Sequence, residues 1–154
     1  MMPQATARFP AQIDSKEPPS GENSPCEAKK SPVHRILVVD DEPLIRWWLS
    51  ESLGGYGYEV CVAEDGCAAR RALAAGGMPF DVVLLDFRLP DSNDLALLSR
   101  LRTLAPRARF ILMTAYGSPE VQQEALDLGA YRVVDKPFKV DEVTTIVSEA
   151  DNAA

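Results

Sequence analysis

Five side chains are spaced so that chemistry between them becomes possible once the chain folds. They are Asp40 and Asp41 in "VVDDEP", Asp86 in "LLDFRLPD", Thr114 in "LMTAYG" and Lys136 in "VVDKPF". Each closes or follows a short run rich in Val, Ile and Leu, the composition of strands covered on both faces. A buried strand ending in adjacent carboxylates needs a reason. At about 4 Å and an effective dielectric near 20, two such charges repel by roughly 4 kcal/mol. Either one acid stays protonated or a cation compensates. Three carboxylates converging on a crevice favour a hard divalent cation with oxygen ligands, Mg²⁺ first. A lysine facing them can neutralise the cluster or clamp a phosphoryl oxygen. Asp41 and Glu42 have a plainer reading, because acids cap helix N-termini. Capping does not account for Asp86, Thr114 and Lys136 at equivalent strand ends.

The elements that must position these groups follow from the periodicity. Apolar runs recur at "RILVVD", "EVCVAED", "DVVLLD", "RFILMT" and "YRVVD". Helical segments lie between and after them. "EPLIRWWLSESL" has Pro43 early in the helix, where its missing N–H costs little. Leu44, Ile45, Trp48, Leu49 and Leu53 form its apolar stripe, and Gly54, Gly55 and Gly57 end it. "CAARRALAAGG", "DLALLSRLRTLAP", "PEVQQEALDLGA" and "KVDEVTTIVSEA" supply four more helices. Strand–helix alternation, five times over, predicts an α/β fold: a doubly wound, five-stranded parallel sheet with helices on both faces. In such sheets the functional crevice lies at the carboxyl ends of the strands, where all five chemical residues stand.

Bulk properties narrow the function. The chain has 154 residues, enough for one domain. A net charge of −7 argues against unaided binding to nucleic acid or an anionic membrane. The sequence has neither an 18-residue apolar run nor the apolar stretch of a signal peptide. Cys26, Cys61 and Cys67 form no CxxC and read as reduced thiols of a cytoplasmic protein. Residues 1–33 hold half of the prolines and little apolar periodicity, so they read as a disordered arm. The folded domain is expected at 34–154.

Together, "VVDDEP", "LLDFRLPD", "MTAYG" and "DKPF" resemble, in order and spacing, the receiver domain of two-component response regulators. The resemblance spans roughly Arg35 to Ala150, and the "TAYG" wording is most similar to receivers of enhancer-binding transcription activators. It implies the flavodoxin-like (βα)5 receiver fold. It implies that Asp86 accepts a phosphoryl group from a sensor histidine kinase or phosphotransfer protein. It also implies that Asp41 and Asp86 ligate Mg²⁺ directly, that Asp40 acts through water, and that the Arg88 carbonyl completes the protein ligands. Thr114 and Lys136 would then bind the phosphoryl group, and the Lys136–Pro137 bond would be cis. Such a protein catalyses only its own phosphorylation and dephosphorylation. It signals through protein contacts, to a downstream partner or a homodimer, without touching nucleic acid or membrane. His34, ahead of the first strand, is a poor phosphodonor.

Departures from the family pattern are local. Val133 stands where an aromatic is frequent, three residues before the lysine. Asp94 stands where the loop after "LP" usually ends in Gly. Arg88 and Tyr116, two residues after Asp86 and Thr114, are expected to set the phosphoryl lifetime. Tyr131 and Val133 are expected to share a strand face, with Tyr131 available as an interface anchor or packed on a helix. Three competitors remain: a longer transcription factor of which this is the receiver, a hydrolase using an aspartyl-phosphate, and a receiver that binds partners without phosphate. Many such hydrolases need a second acid two residues after the nucleophile, where Arg88 stands here. The intact set Asp40, Asp41, Asp86, Thr114 and Lys136 opposes the last reading.

Overall fold

The computed structural model describes residues 34–92, 95–115 and 118–152. The expected arm, Asp94 and Tyr116 lie outside the described residues. Strands and helices alternate: β1 (Arg35–Val39), α1 (Pro43–Gly54), β2 (Glu59–Ala63), α2 (Gly66–Ala74), β3 (Val82–Asp86), α3 (Ala96–Leu104), β4 (Arg109–Thr114), α4 (Pro119–Asp127), β5 (Arg132–Asp135) and α5 (Val140–Asn152). The strands form one sheet in the order β2-β1-β3-β4-β5, and every pairing is parallel. The order reverses between β1 and β3, which opens a crevice at their carboxyl ends.

The apolar runs are continuous because both faces are covered. Leu37, Val39, Val83, Leu85, Phe110 and Leu112 pack with Ala69 of α2, Leu97, Leu98 and Leu101 of α3, and Ala125 of α4. Their strand neighbours Ile36, Val38, Val82, Leu84, Ile111 and Met113 point the other way. They meet Leu49 and Leu53 of α1 and Val143, Ile146 and Val147 of α5. Successive side chains alternate between faces, so each strand feeds both cores. The edge strands are less apolar: Glu59 and Val62 of β2 and Arg132 of β5 are exposed. Gly57, at φ 95°, carries the chain from α1 into β2.

Two local expectations are corrected. Leu44 does not join the apolar stripe of α1; it is 73% exposed, as Trp47 is 60%. Tyr131 and Val133 do not share a face. β5 starts at Arg132, so Tyr131 lies ahead of the strand and outside its two-residue period. Tyr131 packs against the core on the α1/α5 side, while Val133 packs against the α2–α4 side. The reading of Tyr131 as a residue packed on a neighbouring helix is the one the fold supports.

Candidate functional site

Asp40 follows β1 directly and is fully buried. Its Oδ1 accepts the Glu42 N–H at 2.9 Å, and its backbone carbonyl accepts from Arg46 Nη1 of α1 at 2.7 Å. Glu42 stands at the α1 N-cap yet makes no side-chain capping bond. Asp40 thus holds the backbone N–H of the N-cap residue itself. Asp86 ends β3 and is 6% exposed. The Arg88 N–H donates to its Oδ1 at 3.3 Å. Asp40, Asp41 and Asp86 each offer a carboxylate oxygen within 4.8 Å of the others, with Asp41 the exposed member.

Lys136 closes the group from the far side of the chain. Its Nζ lies 2.8 Å from Asp40 Oδ2, 3.3 Å from Asp86 Oδ2 and 3.6 Å from Glu42 Oε1. Its backbone N–H donates to the Thr114 carbonyl at 2.7 Å, and the Lys136–Pro137 bond is cis. Thr114, 1% exposed, ends β4 one residue beyond Met113, the register partner of Asp86. The sheet therefore brings Asp40, Asp41, Asp86 and Lys136 into one cluster and sets Thr114 at the adjoining strand end. Asp41, Glu42, Asp86, Arg88, Ala115 and Lys136 line a cavity of about 280 Å³.

The electrostatics answer the question posed by the paired acids. Burial, reinforced by the neighbouring Asp40 charge, pushes the Asp86 carboxyl up to about 6, while Lys136 and the Arg88 N–H work against the rise. Burial also disfavours the Lys136 ammonium, but Asp40 and Asp86 outweigh it and its pKa stands above the usual value. The lysine thus compensates part of the repulsion within the protein itself. The remaining excess of oxygen donors, all hard and converging, suits a divalent cation. The donor set fits Mg²⁺.

Arg46, Glu42 as a partner of Lys136, and Asp91 were not singled out from the sequence as parts of the site. Arg46 turns its guanidinium back over the start of its own helix to the Asp40 carbonyl, a side chain–backbone contact that no residue spacing marked.

A parallel sheet in this order, with buried acids at the reversal and a lysine directly after the last strand, defines a receiver domain. The response regulator receiver domain family matches residues 36–148, and the chain belongs to that family. It is the phosphorylation-dependent signalling module of two-component systems. The regulatory protein AtoC of Escherichia coli (strain K12) is 40% identical over 118 residues, 77% of this chain and 25% of AtoC. The DNA-binding transcriptional regulator NtrC of the same organism is 36% identical over 115 residues, 75% of this chain and 24% of NtrC. The chain thus spans about a quarter of the length of those relatives. Sporulation initiation phosphotransferase F of Bacillus subtilis is 36% identical over 115 residues, 75% of this chain and 91% of that protein. The response regulator TrrA of Thermotoga maritima, solved in complex with Mg(2+)-BeF, superposes with a TM-score of 0.66 at 36% identity, covering 77% of this chain and 99% of that one. Among the described residues no helix is long and apolar enough to cross a membrane.

Proposed function

We propose that residues 34–154 act as a cytoplasmic phosphorylation switch, in which Asp86 accepts a phosphoryl group from a phosphohistidine on a sensor histidine kinase or phosphotransfer protein. The observation that carries this reading is the Asp86 carboxylate itself. It ends β3 at the sheet's reversal, beside Asp40 and 3.3 Å from Lys136 Nζ, on a cavity open to solvent. An Asp86 oxygen attacks phosphorus, the P–N bond breaks, and its electron pair leaves with the imidazole. An acyl phosphate results. Hydrolysis reverses the state: water attacks phosphorus and the carboxylate departs.

Little covalent work falls to the protein in such a transfer; positioning and charge neutralisation carry it. Lys136 and the Thr114 hydroxyl take the phosphoryl oxygens. Lys136 then trades carboxylate partners for phosphoryl ones, so its charge stays matched throughout. Asp40, Asp41, Asp86 and the Arg88 carbonyl would hold Mg²⁺, which when bound supplies positive charge opposite the phosphoryl oxygens. A second cavity of about 430 Å³, lined by Ile45, Trp48 and Phe138, shares Glu42, Ala115 and Lys136 with the acidic one.

The switched domain signals by protein contacts, to a downstream protein or a second copy. The absence of direct nucleic-acid contact is proposed for residues 34–154 alone, since NtrC is by name a DNA-binding regulator. The test is phosphotransfer with a small phosphodonor and Mg²⁺. Wild type should gain an acid-labile phosphoryl group, and Asp86→Asn should gain none. Equal labelling of the Asn variant would overturn the assignment.

A further inference from the structure

The loop that leaves Asp86 is tied to a helix that takes no part in the site. Leu89 and Ser92 form a reciprocal backbone bridge, Leu89 N–H to Ser92 O at 2.7 Å and Ser92 N–H to Leu89 O at 3.2 Å. Pro90 and Asp91 sit at the tip of the turn so closed. Leu89, at its base, is buried in the core on the α2–α4 side. Asp91, at its tip, is exposed, yet both carboxylate oxygens are engaged. Oδ1 accepts the Gly66 N–H and Oδ2 the Cys67 N–H, each at 2.9 Å.

Those N–H groups belong to the first turn of α2, where four backbone donors lack intrahelical partners. Asp65 provides for a third: its Oδ1 accepts from Ala68 N at 2.7 Å, while its carbonyl takes the first intrahelical bond, from Ala69 N at 3.0 Å. The helix therefore has two carboxylate caps, one local and one from a loop about two dozen residues downstream. The site is built for close approach. A Cβ at Gly66 would lie 3.2 Å from Asp91 Oδ1 and 3.0 Å from Leu97 Cδ2.

Arg88 lies between this anchored turn and Asp86. Its N–H donates to Asp86 Oδ1, and the function proposed above gives its carbonyl to the metal. The backbone of Arg88 is thus held upstream by the register of β3 and downstream by the turn. We infer that Asp91 is a positioning residue: by clamping the turn onto α2 it fixes the Arg88 peptide in the orientation that Mg²⁺ and Asp86 require. The inference rests on the proposed metal site.

Isothermal titration of Mg²⁺ into the folded full chain tests it, with stability measured in parallel by urea denaturation. Groups that orient metal ligands typically change affinity by about 10–100-fold when removed. Asp91→Ala should raise the Mg²⁺ Kd by about tenfold, the low end of that range. Asp91→Asn, which keeps one acceptor oxygen, should fall between it and wild type. Asp65→Ala is the comparison, since it removes a cap from the same helix without touching the loop. It should lower stability and leave the Mg²⁺ Kd unchanged. If Asp91→Ala only lowers stability, as Asp65→Ala does, Asp91 is a helix cap and the inference is wrong. Asp41→Ala separates the two levels. Loss of Mg²⁺ binding there with no effect at Asp91 sinks this inference alone; unchanged binding there sinks the metal site, and the inference with it.

Discussion

The two ends of the sheet treat charge differently. At the amino ends, each acid has its own nearby donor. His34 Nδ1 lies 2.5 Å from Asp151 Oδ1, and the Arg35 N–H donates to Asp81 at 2.8 Å. The Arg35 guanidinium lies 3.5 Å from Glu59 and 4.2 Å over the Phe80 ring. At the carboxyl ends, Asp40, Glu42 and Asp86 converge on Lys136 with Asp41 beside them. The matched end ties the start of β1 to the end of α5 and to its neighbouring strands. The unmatched end gathers negative charge around a crevice that opens to solvent, where the buried Asp40 and Asp86 cost stability and a cation can enter. The same fold thus holds separate pairs at one end and a shared cluster of carboxylates at the other.

The sharpest way to break the comparison is Lys136→Met. It leaves Asp40, fully buried, and Asp86 without their ammonium. Removing one partner of a buried pair costs about 3 kcal/mol or more, read by urea denaturation in metal-free buffer, and Mg²⁺ should restore part of it. A loss under about 1 kcal/mol would mean the acids are accommodated by protonation or water, since that is the scale of exposed pairs.

Tyr131→Ala probes packing near the amino ends. The ring is half-buried against the α1/α5 core, with the Arg132 guanidinium 5.5 Å from its centroid. Stability should fall by about 2 kcal/mol, with phosphorylation of the folded protein unchanged. Unaltered stability with weakened partner binding would return Tyr131 to the role of interface anchor.

Asp41→Ala should do the reverse of Lys136→Met. Removing one acid relieves repulsion, so metal-free stability should rise. Asp41 is exposed, so screening keeps the gain below about 1 kcal/mol. A variant less stable without metal would point to a helix-capping role for Asp41.

The smallest effect is a pH dependence at the matched end. The hydrogen bond to Asp151 raises the His34 pKa, against the opposing effect of burial. A raised histidine contributes its full stabilisation below its unfolded pKa of about 6.5 and loses it as pH rises through the folded value. The Tm difference between wild type and Asp151→Asn should therefore be larger below pH 6.5 than above the folded pKa. A difference that does not narrow would mean the pair contributes no charge-dependent stability.

Much of this was written in the residue pattern. Val, Ile and Leu runs ending in Asp40, Asp86, Thr114 and Asp135–Lys136 mark strands whose ends share a rim, because parallel strands bring their carboxyl ends together whatever their order. The helices followed from spacing and from Pro43, Pro119 and the glycines. Leu44 escaped the pattern because an apolar residue at helical spacing is buried only if something packs over it. Tyr131 escaped it because strand periodicity holds only inside the strand, and β5 begins one residue later.

The sequence by itself determined which groups could do chemistry and that they would lie at one edge of a sheet, since local periodicity and the geometry of parallel strands suffice for both. Only the tertiary structure decided how they meet. Lys136 reaches Asp40 from 96 residues away, Arg46 turns back onto the carbonyl of Asp40, and Asp91 finds the open N–H groups of α2. These contacts join residues with no spacing in common, and they exist because folding carries donors and acceptors left open by the local backbone within reach of one another.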